Sequence, residues 1–148
     1  MVITGNVEDS DFYERDVKPY LNDKIQWFGP ISKEQKIDRA EIVKLMQKAK
    51  VFLMTINWEE PFGLVMAEAM SCGTPVIGFD RGSVRELVVD GKTGFVVNPS
   101  LGVEGLIKAL EKINSINPND CRQHVLNNFS IDIMVDNYEN IYNEVTQK

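Results

Sequence analysis

Short apolar runs alternate with helical patterns along the whole chain. "MVIT" (1–4) reads as a buried strand that stops at Gly5, and residues 11–21 carry helical spacing. "KIQWFG" (24–29) is a second strand, closed by Gly29-Pro30. In "RAEIVKLMQKA" (39–49), Ile42, Val43, Leu45, Met46 and Ala49 fall at the spacing of a helix. "VFLMTI" (51–56) predicts a third strand, 63–72 a helix, "TPVIGF" (74–79) a fourth strand, 83–89 a short helix and "GFVV" (94–97) a fifth strand. Three helical segments close the chain. Leu106, Ile107, Leu110 and Ile113 mark the first, and 118–127 is a weaker second. Ile131, Met134, Val135, Tyr138, Ile141, Tyr142 and Val145 mark the last, with Ser130 at its N-cap.

Strands alternating with helices of this length predict βαβ units, hence an α/β fold with a mainly parallel sheet. The continuously apolar strands agree, because strands of such sheets are covered on both faces. Ligands of open α/β sheets bind outside the carboxyl ends of the strands. The turns after residues 4, 29, 56 and 79 are therefore the places to look for chemistry.

Composition narrows the class. A chain of 148 residues is the size of one domain, and 43% hydrophobic with 26% charged residues is an ordinary soluble composition. A formal net charge of -6 excludes a basic nucleic-acid footprint and a polybasic membrane patch. No apolar run approaches the roughly 20 residues of a membrane-spanning helix. "MVITG" opens without the basic region or cleavage site of a signal peptide. Cys72 and Cys121 are too few and too far apart for a disulfide framework or a zinc knuckle, so the expected setting is a reducing cytoplasm.

The densest chemistry follows the third strand, in "NWEEPFGLVMAEAMSC" (57–72). Pro61 has a φ suited to a helix start. Gly63 lacks a Cβ, so a ligand can approach its backbone. A helix that begins near Gly63 or Leu64 turns free N–H groups and its positive dipole end outward, which suits an anion. Glu68 lies four residues after Leu64, on the same face, and helical side chains lean toward the N-terminus. A carboxylate beside a bound anion repels it but can accept hydrogen bonds from a vicinal diol such as a ribose. Glu60 lies on the rim just before the helix. A ligand with phosphate in its middle and hydroxyls on both sides fits this layout, and a sugar nucleotide has that shape. The plainer readings are a first-turn acid complementing the helix dipole for Glu60 and a solvated helix position for Glu68. The physics of the residues leaves both pairs of readings open.

"EPFGLVMAEAMSCGTPVI" (60–77) resembles the E-x7-E signature of glycosyltransferase family 4, the group 1 glycosyltransferases, with Glu60 and Glu68 at the two acids and Pro61-Phe62-Gly63 between them. "GPISKEQK" (29–36) is similar to that family's Gly-containing turn, "DRGSVRELVVDGKTGFVV" (80–97) to its stretch ending in D-G-x-T-G, and "NNFSIDIMVDNYENIYNEV" (127–145) to its last helix. The resemblance implies one half of a GT-B fold. That half is a Rossmann-like three-layer α/β/α domain, the C-terminal one, which binds the donor sugar nucleotide. It implies that Glu60 contacts the donor sugar at the reaction centre, and that Phe62 and the backbone of Gly63, Leu64 and Val65 hold the sugar or diphosphate. Glu68 would hold the ribose hydroxyls, with Ile31, Ser32 and Lys36 at the base. The implied reaction is sugar transfer from a nucleotide-sugar to a glycan, lipid or small-molecule acceptor, with retention at the anomeric carbon and with neither metal nor cofactor. A non-catalytic sugar-nucleotide-binding half of a split enzyme and another GT-B enzyme, such as a nucleotide-sugar epimerase, are the alternatives.

Two departures accompany the resemblance. Members run well over twice this length, so an acceptor domain is expected elsewhere, N-terminal or on a partner chain. The family's donor domain also opens with a strand bearing an Arg and then a Lys for the diphosphate. The resemblance places Met1 at the second strand, without the first strand and helix, and implies an isolated chain that is inactive or binds nucleotide weakly. Loss of one such charge can cost several kcal/mol in a transition state.

Other features have plainer readings. "DGKTG" (90–94) contains Gly-Lys-Thr, but a phosphate loop requires a Gly where Glu86 stands, so a turn is expected. No G-x-G-x-x-G follows "MVIT". His124, the one histidine, is read as a surface residue remote from the 57–72 stretch, which leaves nucleophilic Ser or Cys chemistry without a base. Cys72 is read as a small apolar group on its helix, Trp27 and Trp58 as core or rim, Glu59 as a bystander, and Arg81, Arg85 and Glu86 as solvated charge. Asn128-Phe129-Ser130 matches a glycosylation sequon and is read as incidental.

Overall fold

The structure is a computed structural model that describes residues 1–29 and 38–146. By its internal contacts the chain divides into two compact units, Met1–Leu45 and Met46–Lys148.

In the first unit, β1 (Val2–Ile3) pairs in parallel with β2 (Gln26–Trp27), Val2 opposite Gln26 and Ile3 opposite Trp27. The helical run between them starts at α1 (Ser10–Phe12), where the Asp9 side chain accepts the Phe12 N–H at 2.9 Å. It continues as a π turn, Tyr13–Val17, and ends in a 3₁₀ turn, Lys18–Tyr20, at Pro19. The Tyr13 ring lies 4.8 Å from the Trp27 ring, centroid to centroid. The expected buried first strand is corrected here. Val2 is exposed and Ile3 half-buried, because β1 has only β2 beside it in a two-stranded sheet, and two short strands cannot cover both of their faces. Helix α2 (Arg39–Lys48) opens on a reciprocal cap. The Glu41 N–H donates to Asp38 Oδ1 at 2.9 Å, and the Asp38 N–H to Glu41 Oε2 at 3.2 Å.

The second unit carries the core. Strands β3 (Phe52–Met54), β4 (Val76–Phe79) and β5 (Gly94–Val97) form a parallel sheet in that order, with Phe52 opposite Val76 and Val76 opposite Gly94. The crossover from β3 to β4 is α3 (Leu64–Ser71), and that from β4 to β5 includes the single turn α4 (Val84–Leu87). Then come α5 (Gly102–Lys112), α6 (Pro118–Asn128) and α7 (Ile131–Thr146). Helices α3 and α5 pack on the sheet, and α6 packs on α3. Met54, Met66, Met70, Val76, Ile77, Leu87, Ile113 and Cys121 are among the buried residues that join these elements into one core. The "DGKTG" stretch is a turn: the Gly91 N–H donates to Gly94 O at 2.8 Å, and Asp90 accepts the Val96 N–H at 2.9 Å. Parallel sheets with flanking helices make this the α/β, Rossmann-like fold that the sequence predicts. Ser130 begins α7 as expected, its Oγ 3.4 Å from the Ile133 N–H. The apolar positions that mark this helix, Ile131 and Val145 among them, are exposed.

Candidate functional site

The turn from Asn57 to Gly63 joins the carboxyl end of β3 to α3. Gly63 is the N-cap of that helix, with left-handed φ 76° and ψ 61°, and it contributes no side-chain acceptor to the first turn. A Cβ at this position would lie 2.5 Å from Met66 Cε and 3.3 Å from Glu60 Cγ. Packing and backbone angle thus both require glycine. Gly63 is buried, while Leu64 and Val65 are exposed, so the first turn of α3 presents its backbone beside open side chains. This is the anion-suited end of the helix dipole.

Glu60 is half-buried just before that end. Its Oε2 accepts the Trp58 Nε1–H at 2.9 Å. Glu68 is half-buried one turn into α3, between the buried Ala67 and Ala69, and its carbonyl accepts from Ser71 Oγ at 2.7 Å. Helix register puts it on the same face as the exposed Leu64. Phe62 is partly exposed and meets the Phe129 ring edge-on, centroids 5.9 Å apart. Gly63, Leu64, Val65, Glu60, Phe62 and Glu68 therefore share one end of the second unit. Ile31, Ser32 and Lys36 lie outside the described residues.

Three sets of contacts in this region were not legible in the sequence. The turn 80–83 lies directly on the turn 59–62: the Ser83 N–H donates to Glu60 O at 2.9 Å, and Ser83 Oγ to Phe62 O at 2.6 Å. Glu59 accepts the Gly82 N–H and lies 3.5 Å from Arg81 Nη1, so it ties the two turns together. His124 is not remote either. It is half-buried, stacks edge-on against Phe129 at 5.4 Å, and through that ring adjoins Phe62. Its Nε2 lies 2.9 Å from Leu87 O, an acceptor, and its Nδ1 3.2 Å from Asn128 Nδ2, a donor. The links from Glu59 to Arg81, from Ser83 to Phe62 and from His124 to Leu87 join residues 20 or more positions apart, beyond the reach of any local pattern. The one local hint is Gly82 itself, in a turn after a strand's carboxyl end.

Arg85 grips Asp80 through two hydrogen bonds, one of them 2.9 Å from Nε. That contact holds the Asp80 carboxyl below its usual range and raises the guanidinium of Arg85. At the far end of α3, Arg122 of α6 donates to Ser71 O at 2.8 Å. Among the described residues, no group of three or more His, Cys, Asp and Glu could hold a metal ion, and no helix is long and apolar enough to cross a membrane.

The chain matches known proteins throughout this region. The family described as glycosyl transferases group 1 matches residues 1–127. An N-acetyl-alpha-D-glucosaminyl L-malate synthase of Bacillus anthracis is 32% identical over 109 residues, which are 70% of this chain and 28% of the synthase. Sucrose synthase 7 of Oryza sativa subsp. japonica is 32% identical over 88 residues, 60% of this chain and 10% of that enzyme. The chain thus spans less than a third of either relative. Among solved structures, a glycosyltransferase from Rickettsia africae superposes with a TM-score of 0.77 at 22% identity, covering 99% of this chain and 40% of that one. The Anabaena protein HepE in complex with UDP-glucose superposes with a TM-score of 0.67 at 23% identity, over 99% of this chain and 40% of that one.

Proposed function

The chain belongs to the group 1 glycosyltransferases, and we propose that it is the C-terminal, donor-binding half of a retaining GT-B enzyme of glycosyltransferase family 4. The donor is a nucleotide-sugar, and the bound UDP-glucose of the Anabaena neighbour supports that class. The observation that carries the reading is the arrangement at α3. A Gly63-capped helix end without a side-chain acceptor is flanked by Glu60 before it and Glu68 one turn inside it.

In this reading the diphosphate sits at the first turn of α3, where the N–H groups of Gly63, Leu64 and Val65 and the helix dipole face it. The same groups favour the charge that develops on the leaving diphosphate as the bond to the anomeric carbon breaks. Glu68 accepts hydrogen bonds from the ribose hydroxyls. Glu60, its carboxylate steadied by Trp58 Nε1–H, accepts from the donor sugar's hydroxyls at the reaction centre. Phe62 lines the same end. No step draws on a metal or cofactor. The acceptor is a glycan, lipid or small molecule. The enzyme works in the cytoplasm.

Calorimetric titration with UDP-glucose, GDP-mannose, ADP-glucose and the free diphosphates tests this. One nucleotide series binds the wild type. Glu68→Ala weakens sugar and sugar-free forms alike, by about tenfold to a hundredfold for a lost charge-assisted contact. Absence of binding by every nucleotide would sink the reading.

A further inference from the structure

Two turns far apart in sequence are locked together at the donor end of the second unit. Gly82 has φ +50°, and a Cβ there would lie 2.5 Å from Glu60 N and 2.4 Å from Glu60 O. Only a glycine backbone lets the 80–83 turn approach so closely. The Ser83 hydrogen bonds to Glu60 O and Phe62 O use backbone acceptors on the 59–62 side. Glu59 is the side chain that reaches across the other way. Its Oε2 accepts the Gly82 N–H, and its Oε1 faces Arg81 Nη1 at 3.5 Å. Glu60, its neighbour in the chain, is held instead by Trp58. Adjacent carboxylates thus answer to different donors.

We propose that Glu59 is a positioning residue for the donor sugar: it clamps the 80–83 turn onto 59–62 and so fixes the backbone from which Glu60 reaches the sugar. The inference rests on the donor reading of Glu60. A carboxylate accepting a backbone N–H makes a stronger hydrogen bond than a neutral acceptor. The Arg81 contact is a solvent-facing ion pair, with the Glu59 side chain 69% exposed, and contributes little. The clamp is therefore small on the scale of global stability. Its effect falls on placement, where a shift of about 1 Å is enough to lose a large part of the productive geometry.

Glu59→Ala and Glu59→Gln separate these effects, with UDP and UDP-glucose as probes in calorimetry and amide exchange at Gly82 read by NMR. In Glu59→Ala the Gly82 amide exchanges faster and the thermal midpoint barely moves. UDP affinity stays within about twofold, while the preference for UDP-glucose over UDP falls about tenfold. Glu59→Gln keeps an acceptor for the Gly82 N–H and restores most of both. An unchanged UDP-glucose preference in Glu59→Ala, an equal loss for both ligands, or a Gln variant no better than Ala overturns the proposal. Where another of the titrated series binds the wild type, its diphosphate and its sugar form replace UDP and UDP-glucose as probes, and a wild type that binds none of them overturns the donor reading instead. The Gly82 amide then decides the clamp by itself: equal exchange in wild type and Glu59→Ala removes it.

Discussion

Cys121 and Cys72 are one residue type in two states. Cys121 is fully buried on α6, its Sγ 3.5 Å from Thr93 O, and burial pushes its thiol up from 9.0 to about 11. Cys72 ends α3 half-buried. Iodoacetamide at pH 8 should therefore alkylate Cys72 and spare Cys121 until denaturant is added, as peptide mass spectrometry will show. The sign for stability follows from the same shift. Below pH 9 the thiol is protonated in both folded and unfolded chains, so the contribution is intact. Between 9 and about 11 the unfolded chain releases this proton and the folded one keeps it, so stability falls as pH rises. A urea midpoint that climbs from pH 8.5 to 10.5 would contradict this. Glu60 and Glu68 were legible at this scale because their spacing around Gly63 is local. Glu59 and His124 were not, because their partners Gly82 and Leu87 lie 23 and 37 positions away.

Among the elements, α3 is the one whose two ends do different work. Its first turn stays open at Gly63, while its last carbonyls are covered, Ser71 O by Arg122 Nη1 at 2.8 Å. A cation at a helix C-terminus complements the dipole there. Arg122→Ala should cost about 0.5–1.5 kcal/mol in urea unfolding, the range of one net hydrogen bond, and leave nucleotide affinity alone. Gly63→Ala acts at the other end. It forces a side chain into the left-handed region and against Met66, so it should cost about 1–3 kcal/mol and also weaken donor binding. Calorimetry and urea unfolding of the two variants test whether the helix's ends are separable. The pattern reached most of this element, predicting 63–72 where α3 runs Leu64–Ser71, and it placed β5 at 94–97 as found. Long apolar or amphipathic runs carry that much. The first strand failed because burial depends on which strands lie beside it. Apolar "MVIT" looks the same whether one neighbour covers it or several.

The whole chain is unevenly built. Its α/β class was legible because alternation of apolar strands and helical runs extends from end to end. The distribution of burial was not. The core cluster lies within Met46–Lys148, where Met66, Ala69, Met70, Val76, Ile77 and Val84 have no exposed surface. In Met1–Leu45 the strands are two residues each and, among the described residues, the buried hydrophobic side chain is Ile42. Local opening free energy follows buried apolar contact and protected hydrogen bonds. Native-state hydrogen exchange should therefore rank the amides: Ile77 and Val96 open only with global unfolding, while Gln26 and Phe28, which donate to Met1 O and Ile3 O at 3.0 Å, exchange through a cheaper local opening. Low urea should accelerate the first group and leave the second nearly unchanged, since a local opening exposes little surface. Equal protection in the two units would mean that burial in the second does not set the hierarchy. The consequence for the proposed site is direct. The turns 57–63 and 80–83, together with α3 and Phe129, belong to the second unit, which this ranking expects to open last. On that ranking Glu60 and Glu68 stand on the more persistent unit, as the precise placement asked of the proposed site requires.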